Sequence, residues 1–81
     1  MFVYAIRSEV DGRIYVGMCK DIFIRLGQHN SGKTKSTKGF RPWKIVYFEE
    51  CQNRIDARKR EKYLKSGVGK EFLKSVSQFN G

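Results

Sequence analysis

The sequence predicts an α+β domain in which a three-stranded, mostly antiparallel sheet is flanked by helices in the order β-β-α-β-α-α. Three observations support this prediction. Short segments rich in β-branched and aromatic residues alternate with segments of helical periodicity. Turn and capping residues separate these segments. The length of 81 residues suits one domain with a modest core, so we take residues 1–81 as a single domain.

The first two strands are predicted to form a hairpin. Residues 2–6 are rich in residues that favour strands, and Asp11-Gly12 is a typical hairpin turn. Residues 13–17 then return antiparallel to the first strand. The register stays open, because residues 8–12 suit either a tight turn or a longer loop.

A helix, a polar loop and a third strand follow. Asp21 is the expected N-cap of a helix that runs to about His29. Asn30-Ser31-Gly32 ends this helix and leads into a lysine-rich loop. The loop reaches Pro42, which restricts the residue before it. Residues 43–48 have strong strand propensity and form the third predicted strand.

Two helices complete the fold. Asn53 is the expected cap of the second helix, with Asp56 three residues later in the manner of a capping box. The helix is predicted to stop at Gly67, a typical position for a glycine that follows a helix end. Val68-Gly69 would link it to a last helix over about residues 70–79.

The charge of the chain indicates a polyanionic partner. There are 17 lysines and arginines against 8 aspartates and glutamates, a formal net charge of +9. Such a field favours DNA, RNA or an anionic membrane surface. A soluble protein that is basic without such a partner, or one associated with the ribosome, remains the alternative.

Cysteine and hydropathy patterns favour a cytoplasmic protein. Cys19 and Cys51 do not make a disulfide scaffold, and with His29 as the only histidine they fall short of a zinc set. Reduced thiols are typical of cytosolic proteins. Arg7 interrupts the apolar N-terminal run, which is too short for a signal or a membrane span. We therefore expect no membrane partner.

Glu61 stands on a helical stripe that should face inward. Ala57, Glu61 and Leu64 are spaced at i, i+4 and i+7, which places them on one helix face. A carboxylate there is costly unless it is paired or binds a metal. On these residues alone, a salt bridge to an arginine at the edge of the core is the simpler interpretation.

Four other side chains are candidates for the same site. Arg25 and His29 are i, i+4 neighbours on the first helix, while Tyr4 and Tyr15 come from paired strands. Each alone has a structural explanation: a solvated arginine, a satisfied histidine and two core tyrosines. If their elements pack on one face of the sheet, they converge with Glu61. The set would then supply a metal ligand, a phosphate-binding cation and a phenol that handles a water proton.

The order of these residues resembles that of a known family. The tripeptides Phe2-Val3-Tyr4 and Tyr15-Val16-Gly17, followed by Arg25, His29 and Glu61, are similar to the GIY-YIG nuclease superfamily over residues 2–66. The tripeptides alone are weak evidence, and the ordered set on a β-β-α-β-α framework is strong evidence.

Further segments resemble one branch of that superfamily. It comprises small, single-domain bacterial proteins related to the nuclease domain of the bacterial excinuclease and to the eukaryotic structure-specific resolvase. The similar segments are residues 33–37, Arg41-Pro42 and residues 57–65.

The resemblance implies metal-dependent hydrolysis of a phosphodiester. Glu61 would be the sole protein ligand of one Mg²⁺ or Mn²⁺ ion. Tyr15 would act as the general base or orient it, and Arg25 would hold the scissile phosphate. Tyr4 and His29 would support them.

Two positions bear on that chemistry. Met18 stands where several relatives of the superfamily carry a lysine. If that lysine lowers the pKa of the tyrosine, then Lys20, the metal or His29 must do so here. Gly17 leaves room for a backbone to approach at the strand end.

Basic residues around the proposed site predict a surface that follows phosphates. Those selected are Lys20, Lys33, Lys35, Lys38, Arg41, Arg58 and Lys62. No separate sequence-reading motif is present. We therefore expect a DNA endonuclease that selects structure over sequence and serves repair or recombination, with RNA as a possible substrate.

Other functions fit the same residues. A non-catalytic DNA- or RNA-binding module on this fold is the main alternative. A basic regulatory or ribosome-associated protein without an exposed site is a weaker one. A protein partner or a homodimer for cutting two strands is left open by the resemblance.

Overall fold

The computed structural model describes the backbone of residues 1–80 and the side chains of residues 1–77. The elements are β1 (Phe2–Ser8), β2 (Ile14–Cys19), α1 (Ile22–Asn30), β3 (Trp43–Glu50), α2 (Arg54–Lys65) and α3 (Gly67–Asn80), with a 3₁₀ turn at Lys38–Phe40. The strands form one antiparallel sheet in the order β2-β1-β3. The predicted α+β class and element order are therefore confirmed.

The first two strands pair as a hairpin closed by the longer of the two expected connections. Phe2 lies opposite Cys19, and Arg7 lies opposite Ile14. Gly12 in the connection has a φ of 79°. That conformation is easy for glycine and rare for other residues, so the Asp-Gly turn signal is correct.

The two faces of the sheet are covered by different helices. On one face, α1 packs over Tyr4, Ile6 and Trp43. On the other face, α2 and α3 pack over the strands, and the buried cluster there comprises Val3, Ala5, Val16, Val46, Ala57, Leu64 and Leu73. The sheet is thus a middle layer, and α1 and α2 lie on opposite sides of it.

Both predicted helix caps are present. The Asp21 side chain accepts a hydrogen bond from the backbone of Ile24 (3.0 Å), and the Asn53 side chain accepts one from the backbone of Asp56 (2.9 Å). Each bond satisfies a backbone donor that has no partner within its helix.

The predicted end of α2 is wrong in detail. Gly67 already belongs to α3, and the break between the helices is the single extended residue Ser66. The Ser66 hydroxyl accepts a hydrogen bond from the Gly69 backbone (3.3 Å), and its carbonyl accepts one from Lys70 (2.8 Å). Ser66 therefore caps α3, and no glycine is needed to stop α2.

Val68-Gly69 is accordingly part of α3, where Gly69 has a packing role. A Cβ atom at position 69 would meet the carbonyl oxygen of Tyr63 and lie 2.5 Å from the Cα of Leu64. Only glycine allows α3 to approach the end of α2 so closely.

The loop between α1 and β3 is tied to the core at several points. The Ser8 hydroxyl donates to the Phe40 carbonyl (2.6 Å), and the Trp43 indole donates to the Thr37 carbonyl (2.8 Å). Asn30 binds both the backbone N–H (2.6 Å) and the carbonyl (3.0 Å) of Trp43. The loop lysines are therefore carried by an anchored backbone.

Two further expectations are answered by the described part of the chain. Cys19 and Cys51 are unpaired, as predicted. None of the helices described has both the length and the apolar character needed to cross a bilayer.

Candidate active site

Tyr4 and His29 form the centre of a hydrogen-bonded network on the α1 face. The Tyr4 hydroxyl lies 2.8 Å from His29 Nε2, and His29 Nδ1 lies 2.8 Å from the Thr37 hydroxyl. Thr37 donates in turn to the Thr34 carbonyl (3.3 Å). Thr37 must therefore accept from Nδ1–H, which leaves Nε2 to accept from the Tyr4 hydroxyl.

The acid–base properties of the pair agree with this assignment. Burial raises the pKa of Tyr4 to about 12, although the nearby Arg25 opposes the effect. Burial, followed by the charge of Arg25, lowers the pKa of His29. Both side chains are therefore neutral at pH 7, with Tyr4 as the donor.

Arg25 contributes the positive charge of this cluster. Its guanidinium interacts with the Tyr4 hydroxyl, which raises the pKa of Arg25, and Nη1 donates to Gln28 (2.8 Å). Its Nε is buried and has no hydrogen-bond partner in the described part of the chain. An unsatisfied buried donor costs about 1–3 kcal/mol, and buried polar groups without a partner are uncommon in folded proteins.

Tyr15 completes the cluster from the edge strand β2. Its ring packs edge-on against His29, with centroids 5.1 Å apart, and against Trp43 at 6.4 Å. Unlike Tyr4, it is only partly buried. Within residues 1–77, its hydroxyl donates to no other residue. Tyr15 is therefore the phenol of the pair that is free to contact another molecule.

Gly17 makes room for a side chain and not, as expected, for an approaching backbone. It lies opposite Tyr4 in the β1–β2 ladder, and a Cβ atom there would lie 2.6 Å from the Tyr4 hydroxyl oxygen. Gly17 of the second tripeptide thus leaves the space that the side chain of Tyr4, in the first tripeptide, occupies.

Glu61 lies on the other side of the sheet. It is 9% exposed and faces inward with Ala57 and Leu64, as the helical stripe predicts. Its carboxylate accepts a hydrogen bond from Lys65 (3.3 Å) and pairs with Arg58 (3.4 Å). The salt bridge expected as an alternative is therefore present, supplied by two cations of its own helix.

The five predicted catalytic residues consequently do not share one face of the sheet. Tyr4, Tyr15, Arg25 and His29 are brought together on the α1 face, whereas Glu61 belongs to the α2 face. The free edge of β2 borders both groups, since Tyr15 and Lys65 line the same cavity there.

Met18 belongs to the α2 face, where its side chain packs on the apolar core and borders a groove formed by α2. A lysine at this position would extend toward α2 and away from the Tyr4–His29 pair. Lys20, named as its substitute, is exposed before α1.

The predicted nucleic-acid-binding residues are all exposed: Lys20, Lys33, Lys35, Lys38, Arg41, Arg58 and Lys62. The Arg41 guanidinium donates to the Lys38 carbonyl (2.8 Å), and Arg58 pairs with Glu61. Most of these cations therefore lie in two groups, one on the anchored loop and one on α2, while Lys20 lies apart from both, before α1.

Thr37 and Gln28 were not selected from the sequence. Thr37 is completely buried and orients His29, although it lies in a polar loop segment where threonine normally faces solvent. Gln28 stands three residues after Arg25 on α1, and this spacing was the available signal.

The donor set limits the kind of metal site that is feasible. Among residues 1–77, no group of three or more His, Cys, Asp or Glu side chains is arranged to hold an ion. A single carboxylate such as Glu61 is compatible only with a hard cation of the Mg²⁺ type, which keeps several waters and takes further oxygens from phosphates.

Comparison with known proteins identifies the family. Residues 1–74 match the model of the GIY-YIG catalytic domain. The protein therefore belongs to the GIY-YIG family, within the nuclease superfamily of that name.

Its relatives include UPF0213 proteins. One from Staphylococcus epidermidis is 37% identical over 78 residues, which cover 95% of this chain and 94% of the relative. One from Staphylococcus saprophyticus is 36% identical over the same length. The solution NMR structure of UPF0213 protein BH0048 from Bacillus halodurans is 32% identical, with a TM-score of 0.55, and the match covers 93% of this chain and 82% of that one.

Proposed function

We propose that this protein is a divalent-metal-dependent endonuclease that hydrolyses phosphodiester bonds in DNA. The observation that carries the proposal is the cluster on the α1 face. There, the Arg25 guanidinium lies beside the hydroxyl of Tyr4 and donates through Nη1 to Gln28. A phosphate group is the natural partner of such a cation.

The two tyrosines take different roles. Tyr4 is buried, bonded to His29 and has a pKa of about 12, so it stays protonated and acts as a fixed donor. Tyr15 lies on the edge strand, is partly exposed and has no partner for its hydroxyl within residues 1–77. Tyr15 is therefore the group that accepts or orients the proton of the attacking water.

Arg25 holds the scissile phosphate and stabilises the charge that develops on it. Its position is set by the Tyr4 hydroxyl and by Gln28. His29 and Thr37 keep Tyr4 in place through the hydrogen bonds described above. The network is thus already organised before substrate binds, which reduces the cost of reorganisation during the reaction.

Glu61 is the residue that would hold the metal. Its two partners, Arg58 and Lys65, have side chains 64% and 54% exposed, so these ion pairs are weak and easily exchanged. The ion, when bound, supplies positive charge to the phosphate. Because Glu61 lies on the far face, the scissile phosphate would have to sit at the free edge of β2, which both faces border.

Structure selectivity and a cytoplasmic role in repair or recombination belong to the same proposal. The exposed cations lie on an anchored loop and along α2, where they can contact phosphates, and phosphate contacts carry no direct sequence information. DNA is the proposed substrate, with RNA as an alternative.

A non-catalytic nucleic-acid-binding module is the second candidate. The pairing of Glu61 with two cations, on the face opposite Arg25, favours it. A module of this kind would bind tightly at low salt and would release its ligand as the salt concentration rises.

The test is a cleavage assay with branched, nicked and linear DNA in Mg²⁺, in Mn²⁺ and in chelator. Cutting should require metal, and Glu61→Gln should lower its rate by about 10²-fold or more. Glu50→Gln, which neutralises an exposed carboxylate at the end of β3, is the matched control and should cut normally.

Two outcomes contradict the proposal in different ways. Unchanged cutting by Glu61→Gln, or cutting in chelator, means that Glu61 is not the metal ligand. Tight, salt-sensitive binding without turnover in any metal means that the protein is the binding module.

A further inference from the structure

A cavity of about 430 Å³ lies at the free edge of β2, between that strand and helices α2 and α3. Its volume falls within the range of about 300–1,000 Å³ that is typical of sites for small organic molecules. It is not part of the Tyr4–His29–Arg25 cluster, but Tyr15 borders both. Tyr15 is therefore the residue that connects the cavity with the proposed site.

The floor of the cavity is apolar. Ile14 and Val16 contribute from β2, Leu64 from α2 and Leu73 from α3. All four belong to the core of the α2 face or pack against it. A flat, weakly hydrated group such as a nucleobase can lie on such a surface with a gain in buried apolar area.

The rim of the cavity is positive. Lys65, Lys70 and Lys74 line it from α2 and α3, and no carboxylate is among its lining residues. Lys65 and Lys74 have exposed ion pairs with acids of their own helices, while Lys70 has no ion pair within residues 1–77. These ammonium groups can bind the phosphate attached to a base on the floor.

The backbone of β2 supplies polar groups. β2 is an edge strand, so part of its N–H and C=O groups on the outer side lack a partner strand. Residues 12–16 of this strand and its preceding turn line the cavity. Unpaired backbone donors and acceptors there can bond the edge of a base without selecting its sequence.

We infer that this cavity binds one unpaired nucleotide of the substrate strand at the free edge of β2, where Tyr15 borders it. The inference rests on the proposed function and extends it. A base within a duplex is stacked and paired, so it cannot enter the cavity unless it is first unstacked. The cavity therefore makes the protein select single strands, gaps and junctions over continuous duplex.

The test measures binding in chelator, so that no cutting occurs. The Kd is determined by fluorescence anisotropy for a single strand, a continuous duplex and a duplex with a short gap. The variant Lys70→Gln/Lys74→Gln should weaken binding to the single strand and the gapped duplex about tenfold more than binding to the continuous duplex.

The control is Lys62→Gln, which removes an exposed cation of α2 outside the cavity. It should weaken binding to all three substrates by the same factor, because it acts on phosphates alone. If the double variant behaves like this control, the inference is wrong.

A second measurement follows the base itself. An oligonucleotide with 2-aminopurine in the gap should change its fluorescence on binding to the wild-type protein. Ile14→Trp, which fills the floor, should abolish that change while the protein keeps its circular dichroism spectrum and its affinity for duplex. An unchanged signal in a folded Ile14→Trp protein would overturn the inference.

These measurements separate the two proposals. If the wild-type protein never cuts DNA but the double variant shows the selective loss of binding, the nucleotide site is supported and the proposed activity is wrong. If cutting depends on Glu61 but the double variant shows no selective loss of binding, the proposed activity is supported and the nucleotide site is wrong.

Discussion

The two faces of the sheet stabilise their polar groups in opposite ways. On the α1 face, neutral groups are buried and bonded in sequence from Tyr4 through His29 to Thr37. On the α2 face, the Glu61 carboxylate at the edge of an apolar core is compensated by exposed cations, and Glu49 pairs with Arg60 of α2. Buried hydrogen bonds hold side chains in one geometry, whereas exposed ion pairs contribute only about 0–1 kcal/mol and exchange readily.

This difference gives the two faces separate roles in the proposed site. The α1 face is organised in the absence of any ligand, so it suits the binding and orientation of a phosphate. The partners of Glu61 on the α2 face are exposed side chains, so a bound cation can replace them as long as the carboxylate stays paired. Mutations on the two faces should therefore have different signatures.

Arg25 is where the largest effect is expected. Arg25→Gln removes the charge proposed to hold the phosphate, and the cutting rate should fall by about 10²–10³-fold. Arg25→Lys keeps the charge but lacks the planar guanidinium, so its cutting rate should lie between those of the wild type and Arg25→Gln. Stability, measured by urea unfolding, should change little, because the substitution also removes an unsatisfied buried donor. Normal cutting by Arg25→Gln would contradict the proposal that the α1 face binds the scissile phosphate.

The two tyrosines should respond differently to loss of the hydroxyl. Tyr4→Phe leaves His29 Nε2 without its donor and should lower the free energy of unfolding by about 1–3 kcal/mol. Tyr15→Phe should leave stability within about 0.5 kcal/mol of wild type and lower the cutting rate by about 10²-fold. Chemical denaturation and cleavage assays on both variants check this. Equal losses of stability would mean that the tyrosines are not distinguished as proposed.

Gly17 tests how tightly the α1 face is packed. In Gly17→Ala the new Cβ would lie 2.6 Å from the Tyr4 hydroxyl oxygen, so Tyr4 must move. A loss of about 1–3 kcal/mol is expected from this overpacking. Gly27→Ala is the control, since position 27 is an exposed site in α1 with nothing within 4 Å. It should raise stability by about 0.5–1 kcal/mol.

The pH dependence of stability should reveal His29. Its pKa is lowered below the ordinary value of 6.5, so the unfolded chain binds its proton more readily than the folded one. Stability is therefore complete above pH 6.5 and falls as the pH drops below it, by at most about 1.4 kcal/mol per unit. Because His29 is the only histidine, His29→Gln should flatten the profile between pH 5 and 7. A flat wild-type profile would contradict the neutral network.

The sequence predicted the element order because each signal is local. Asp21 and Asn53 act within four residues, so their capping roles follow from the chain itself. Gly67 was misassigned because the end of α2 depends on Ser66, which donates to the Tyr63 carbonyl of α2 and accepts from Gly69 and Lys70 of α3. The sequence did not determine whether residues 8–12 form a tight turn or a longer loop, and the structure shows the longer one.

The site was predicted less completely than the fold. Helical periodicity predicted that Glu61 faces inward, and it does. Periodicity does not say which face of a sheet a helix covers, so it could not reveal that α1 and α2 lie on opposite sides. Thr37 was missed because its burial depends on contacts with Trp43 and His29, which belong to other elements of the fold.

The junction at Ser66 has a consequence for how the chain can vary in length. A helix advances about 100° per residue, so one residue added at the start of α3 would shift every later residue of that helix by about that angle around its axis. Lys70 and Lys74 would then rotate away from the β2 edge, and Gly69 would no longer face α2. The spacing at this junction thus sets the rotational phase of the last helix, and we expect deletions and insertions to be tolerated elsewhere before they are tolerated here.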